Sequence, residues 1–338
     1  MIDDSSYPEN PTISVVLPTL NERGYLRDCL DSLLKQDSRE IIEILVVDGG
    51  SSDGTREVVE AQGGVVRLID NPRVTAAAAM NIGIAEAVGD VICRADAHTI
   101  YSPDYVRRCV DVLRESGAEN VGGPMVPVGT TNFGRAVSAV TTSPFGVGPG
   151  KFHYATGRMD VETVYLGCWW RQTLIDVGGY DEDNLQWAAE DQELNFRIRR
   201  AGGRVLLDSS IRSWYFPRDT PAGLLKQYRN YGLAKASTLA KHRTLPYWRP
   251  IAPGLLLGAT AAAPFVLRPW WMKLAPPFVW LAAASAVSAR LARDPGVAPH
   301  RVLAVLGICH WGYGAGLWSG LFRIATGRPF DQRPRKGR

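Results

Sequence analysis

The chain has 338 residues, 46% of them hydrophobic, which is enough for one large or two ordinary domains with a substantial core. A formal net charge of +4 gives no case for nucleic-acid binding across the whole chain. The five cysteines (Cys29, Cys93, Cys109, Cys168, Cys309) are scattered without a CxxC, and read as small buried hydrophobes of a reducing compartment.

The start, "MIDDSSYPENPT", is acidic and polar, unlike a secretory or mitochondrial leader, so the part that follows is expected in the cytosol. The next hundred residues alternate. "ISVVL" predicts a buried strand, and "YLRDCLDSLLKQ" a helix with Leu26, Cys29, Leu30, Leu33 and Leu34 on one face. A strand "EILVVD", a helix from Thr55, a strand "VVRLI", a helix through Met80, Ile84 and Val88, and a strand "VIC" follow. Such alternation with short links predicts a parallel, doubly wound sheet.

The strand "VIC" runs into Asp96-Ala97-His98. In extended chain, residues two apart share a side, so Asp96 and His98 are expected to converge. Ser102-Pro103-Asp104 reads as a helix start with Ser102 as the N-cap. The pair therefore stands at the strand-to-helix edge, where open α/β sheets bind ligands.

"LPTLNE" and "VVDGGSSDGT" put small and acidic residues at the same edge. Asp48 there also reads as a turn residue, and Asp53-Gly54 as the cap of the next helix. Further on, "GVGPG" (146–150) predicts a loop, and "TVYLGCWW" and "RVLLD" predict strands. A helix carrying Leu194, Ile198 and Ala201 follows the acidic pair Glu190-Asp191, which equally suits a helix N-terminus.

Composition shifts near residue 244. Residues 250–267, 274–289 and 302–322 carry no charge and are flanked by arginines and tryptophans, which predicts a membrane domain. Three crossings conflict with the basic tail "RIATGRPFDQRPRKGR", since positive charge favours the cytosolic side. An even number, with the first pair making one passage or a re-entrant hairpin, resolves this.

Together "PTLNE", "VVDGGSSDGT", "NIGIAEAVGDVICRADAH", "GGYDE", "AAEDQELNFRIRRAGG" and "QYRNYGLAK" resemble glycosyltransferase family 2, in its membrane-associated exopolysaccharide branch. The likeness runs in order from about residue 12 to 240. It implies a GT-A nucleotide-diphospho-sugar transferase fold, an α/β doubly wound mixed sheet, followed by C-terminal transmembrane helices. The expected division is a tail (1–11), the GT-A domain (12–244), a membrane domain of two to three apolar segments (245–325) and a basic tail (326–338). The implied reaction is inverting transfer of a single hexose from a UDP-sugar, such as UDP-glucose, to a polyprenyl-linked glycan acceptor. The implied place is the cytosolic face of the cell membrane, with the chain multi-pass.

Residue by residue, the resemblance implies Thr19, Glu22, Asp48, Asn81 and Asp96 for the donor, with Asp48 at the base ring. Asp96 takes the first position of the family's DxD motif, and His98 replaces its second aspartate. The pair would hold a divalent cation, with imidazole favouring Mn2+ over Mg2+. Asp191 is implied as the base for the acceptor hydroxyl, with Glu190 in support. "QYRNYG" keeps Gln227 of the processive QxxRW signature without its Arg-Trp ending, which favours single-sugar addition. Arg212, Arg218, Arg229 and Lys235 are candidate diphosphate contacts or solvated charges. Trp187 is a candidate acceptor contact, while Trp169 and Trp170 read more safely as core.

Two other readings compete: a polyprenyl-phosphate sugar synthase, which needs no hydroxyl base, and a non-catalytic membrane scaffold that keeps the fold. A nicotinamide-dependent oxidoreductase fails, because "LPTLNERG" stands where GxGxxG should.

Overall fold

The computed structural model describes residues 8–148, 150–185, 188–244, 249–293 and 296–330. They fall into two compact units, the first built from the chain up to Val126, Gly150–Glu182 and Glu190–Tyr215.

The first unit opens with β1 (Ile13–Thr19), α1 (Arg23–Leu34), β2 (Ile41–Asp48), α2 (Thr55–Glu60), β3 (Val66–Asp70), α3 (Ala76–Glu86) and β4 (Val91–Arg94). These four strands are parallel and ordered β3-β2-β1-β4, as the alternation predicts. Their unbroken apolar runs have a physical cause. Val15 and Leu17 of β1 enter the core on one face while Val16 enters the core on the other. A strand covered on both faces favours apolar side chains at every position, and the few polar ones it keeps need buried partners, as Ser14 finds in Glu43.

The chain continues through β5 (Thr99–Tyr101), α4 (Tyr105–Ser116), β6 (Asn120–Gly123) and β7 (Met125–Pro127). After α5 (Asn132–Thr141) and α6 (Pro144–Val147), it returns with β8 (Arg158–Asp160), β9 (Tyr165–Trp170), α7 (Arg171–Asp176), α8 (Glu190–Arg200), β10 (Val205–Asp208) and β11 (Ser213–Tyr215). The main sheet reads β3-β2-β1-β4-β9-β6-β10-β8. It is mixed, because β9 runs antiparallel to β4 and β6, and β8 antiparallel to β10. A small sheet, β5-β11-β7, lies beyond the end of β4. Trp169 and Trp170 are buried in the main sheet's cores, as the safer reading had it.

Three local expectations need correction. The helix through Met80 stops at Glu86, and Val88 stands exposed outside it, its N–H held by Glu43. Ser102 does not cap α4: its hydroxyl bonds Asp104, and the helix starts at Tyr105. Gly146 and Val147 of "GVGPG" belong to α6, with Gly146 tight against Val140.

The second unit contains Pro127–Pro149, Asp183–Ala189 and the chain from Phe216. It includes α9 (Pro221–His242), α10 (Ala252–Val266), α11 (Ala275–Leu291) and α12 (Pro299–Ala325). The compact units therefore do not divide at residue 244, because α9 groups with the apolar helices. The reason is close backbone packing: a Cβ at Gly316 would lie 2.0 Å from the Arg229 carbonyl oxygen, and one at Gly232 2.1 Å from that of Tyr313. Gly316→Ala is thus expected to cost at least about 1–3 kcal/mol, the scale of overpacking. A thermal melt of the detergent-solubilised chain checks this, and an unchanged melting temperature contradicts it.

Two stretches, Trp270–Leu291 and Pro299–Ala325, are long and apolar enough to cross a membrane. The 15 residues of α10 extend about 22 Å, short of a hydrocarbon core of about 30 Å. Of the three expected spans, two have the length.

Candidate active site

The site grows from the end of β4. That strand is apolar up to Cys93 and then carries a buried arginine, Arg94. A charge at this depth needs partners. Arg94 Nε faces Asp96 Oδ1 at 3.3 Å, and Nη2 faces Glu190 Oε1 at 3.1 Å. Burial pushes the guanidinium pKa down, but Asp96, Glu190, Tyr180 and Asp191 outweigh it and hold the group charged. Arg94 therefore ties the end of β4 to the first turn of α8.

Asp96 is fixed through its backbone. Its N–H donates to the Tyr101 hydroxyl at 2.8 Å, and its carbonyl accepts from Tyr101 Oη at 3.3 Å and Cys29 Sγ at 3.5 Å. The chain is not extended across Asp96–His98. It turns at Ala97–His98 to return as β5, which pairs with β11. The alternation argument for this pair therefore does not apply. Instead, His98 Nδ1 lies 3.5 Å from Glu22 Oε1, and the ring stands edge-on to Tyr215 with centroids 5.3 Å apart. Nδ1 is buried and has no hydrogen-bond partner.

At the end of β2, Asp48 is buried and organises its own turn. Oδ1 accepts from Gly50 N (3.0 Å), Ser51 N (2.9 Å) and Arg56 Nη1 (3.2 Å), while Oδ2 accepts from the Ser51 and Thr19 hydroxyls. Burial raises its pKa, yet these donors win and hold the carboxyl below its ordinary range. The turn reading of Asp48 is thus a structural fact. Asp53 stands just before Gly54, the N-cap of α2, and accepts from the Thr55 N–H at 3.0 Å. Glu22 follows Asn21, whose φ of 57° is left-handed, and its N–H donates to Thr55 Oγ1.

The acidic pair occupies the first turn of α8, where the helix dipole favours negative charge. Glu190 is buried against Arg94. Asp191 is half-buried, and Oδ1 accepts from Gln192 N at 2.8 Å. Desolvation first, then the charge of Glu190, push its pKa up to about 6, against the opposing pull of Arg94. A carboxylate so tuned is matched to proton abstraction near neutral pH.

The other candidates divide. Asn81 spends its amide on protein: Nδ2 donates to Tyr180 O (2.9 Å) and Glu182 Oε1 (2.6 Å), and Oδ1 accepts from Tyr180 N (2.7 Å). It positions the "GGYDE" loop. Arg212 is exposed in the turn before β11. Arg218, Gln227, Arg229 and Lys235 belong to the second unit, with Gln227 donating to Tyr231 Oη at 3.0 Å and Lys235 buried. Trp187 lies outside the described residues. Sequence reasoning missed Arg94 and Tyr101. The available signal for Arg94 was a lone cation ending an otherwise apolar buried strand.

Residues 14–162 match the family description "Glycosyl transferase family 2". The chain is 30% identical to the succinoglycan biosynthesis protein ExoA of Rhizobium meliloti (strain 1021), over 90% of this chain and 93% of that protein. It is 25% identical to a dolichyl N-acetyl-alpha-D-glucosaminyl phosphate 3-beta-D-2,3-diacetamido-2,3-dideoxy-beta-D-glucuronosyltransferase of Methanococcus voltae, over 68% and 74% of the two chains. Among solved structures, mannosyltransferase PcManGT of Pyrobaculum calidifontis, in complex with GDP-Man and Mn2+, superposes with a TM-score of 0.59 at 22% identity. That match covers 94% of this chain and 88% of PcManGT, and it shows the GT-A fold. The chain belongs to glycosyltransferase family 2, and is a transferase of polysaccharide or glycan synthesis.

Proposed function

We propose that the protein transfers a single hexose, with inversion, from a UDP-sugar such as UDP-glucose to a polyprenyl-linked glycan. The observation that carries the reading is the Arg94-centred cluster, in which Asp191 is pushed up to about 6. Asp191 accepts the proton of the acceptor hydroxyl as the hydroxyl attacks the anomeric carbon. Glu190 and Arg94 hold the base in place. Thr19, Glu22 and Asp48 line the nucleoside end. The dolichyl-linked substrate in the name of the Methanococcus voltae relative supports a lipid-linked acceptor. With two crossings, Trp270–Leu291 and Pro299–Ala325, the catalytic unit and the basic tail share the cytosolic side.

An imidazole nitrogen of His98 without a hydrogen-bond partner stands beside the Glu22 carboxylate, and this supports a divalent cation here. Asp96 and His98 would hold it, Mn2+ or Mg2+, near Glu22. Such an ion supplies positive charge to offset the negative charge that grows on the departing nucleoside diphosphate.

A donor screen with membranes containing the full chain, read as released nucleoside diphosphate, tests the activity. Release from no UDP-sugar contradicts the donor. In a metal titration, His98→Ala is expected to raise the Mn2+ concentration for half-maximal rate by at least about tenfold. His98→Asp should stay active and shift preference towards Mg2+. Three coincident curves would end the ligand role of His98.

A further inference from the structure

Three cysteines that are far apart in sequence meet in the core on one face of the main sheet. Cys93 of β4 and Cys168 of β9 are direct partners across an antiparallel pair, with their sulfurs 3.0 Å apart. Cys109 of α4 covers them from the helix layer, and the three Sγ atoms all lie within 4.8 Å of one another. All three side chains are buried, with at most 1% of their surface exposed. Among the described residues this is the only group of three histidine, cysteine or acidic side chains brought so close. It shares β4 with Arg94, whose cluster begins at the next residue, but it plays no part in the proposed transfer.

We propose that Cys93, Cys109 and Cys168 form a three-sulfur site for one thiophilic monovalent cation, of the class of copper(I).

Geometry favours three-coordination. With metal–sulfur bonds of about 2.3 Å, a trigonal site has sulfurs about 4 Å apart, so Cys93 and Cys168 need only separate by about 1 Å. Zinc asks for a fourth ligand, in tetrahedral array, and the oxygen beside this cluster is the neutral phenol of Tyr105, hydrogen-bonded to Cys109, within otherwise apolar surroundings. Soft sulfur donors select copper(I). Charge balance agrees. One thiol S–H bond breaks, its proton leaves to solvent, and one S–Cu bond forms, while the other two thiols donate lone pairs. The resulting complex is neutral, and nothing is oxidised or reduced. A neutral complex suits a dry core, whereas three thiolates around one such ion would bury two net charges.

The test uses the full, untagged chain made in copper-supplemented cells and purified anaerobically in detergent. Native mass spectrometry should show one added copper with one proton lost. Copper occupancy should fall at least about tenfold in Cys109→Ala and in Cys168→Ser, and persist in Cys309→Ala. Since either core variant can lose stability, the wild-type result decides by itself as well. A copper-free wild type, equal occupancy in all variants, or isolation of a Cys93–Cys168 disulfide would each overturn the site.

Discussion

Asp191→Asn is expected to lower turnover by at least about a hundredfold while leaving donor affinity close to that of the wild type. The substitution keeps the side chain's shape and the hydrogen bond from Gln192 N, but removes the only lone pairs basic enough to take the acceptor proton. The wild-type rate should fall as pH drops through about 6, because the folded carboxyl titrates there and only its ionised form is a base. Stability should move in the opposite direction. A carboxyl whose folded pKa is raised favours the fold when protonated, and that contribution is lost as pH rises from about 4 through about 6. At pH 7.5 the neutral asparagine escapes this penalty. The upper bound is roughly 3 kcal/mol, reduced by the water that reaches a half-buried group. A dead enzyme with a higher melting temperature is therefore the expected pair of results. Full activity of the variant would point to the polyprenyl-phosphate synthase reading, whose acceptor phosphate needs no base. Lost donor binding would move Asp191 from base to donor contact.

Much of this was legible in the sequence because apolar runs are set by burial on both faces of a strand. β1, β2 and β4 follow from that rule, and the helices between them from apolar residues at helical spacing. β9 illustrates what is not legible: "TVYLGCWW" reads as a strand, but its direction is fixed by which neighbours it meets, and it inserts antiparallel between β4 and β6. The site shows the same split. Asp96, His98, Glu190 and Asp191 are visible as polar residues at element ends. Their arrangement is not, because Arg94 contacts Glu190 across 96 positions of chain, and the turn at Ala97–His98 breaks the alternation on which the pairing argument rests. Asp48 carries the clearest double duty. Its turn-forming hydrogen bonds and its proposed role at the nucleoside end use the same carboxylate, and local pattern cannot rank the two. The cysteines look scattered in sequence, yet three of them converge on one face because β4, β9 and α4 are neighbours in space.

Arg94→Met is expected to be as damaging as loss of the base, and by a different route. The methionine fills much of the aliphatic volume but removes the cation shared by Asp96 and Glu190. Leaving buried carboxylates unpaired costs about 3–5 kcal/mol, so a lower melting temperature is expected. The catalytic consequence is specific. Arg94 opposes the effects of burial and of Glu190 on Asp191, so without it the Asp191 pKa moves further above 6. The acid limb of the rate profile should then shift to higher pH, and the deficit relative to wild type should be larger at pH 6.5 than at pH 9. Arg94→Lys keeps the charge but loses the planar fork that reaches two carboxylates, and should fall between wild type and Arg94→Met. Adding Glu190→Gln to Arg94→Met removes one of the stranded charges, and should recover part of the stability and move the limb back towards pH 6. An Arg94→Met enzyme with an unshifted limb would show that Asp191 titrates independently of this arginine. In that case the guanidinium only holds β4 against α8, and the tuning of the base rests on burial and Glu190 alone.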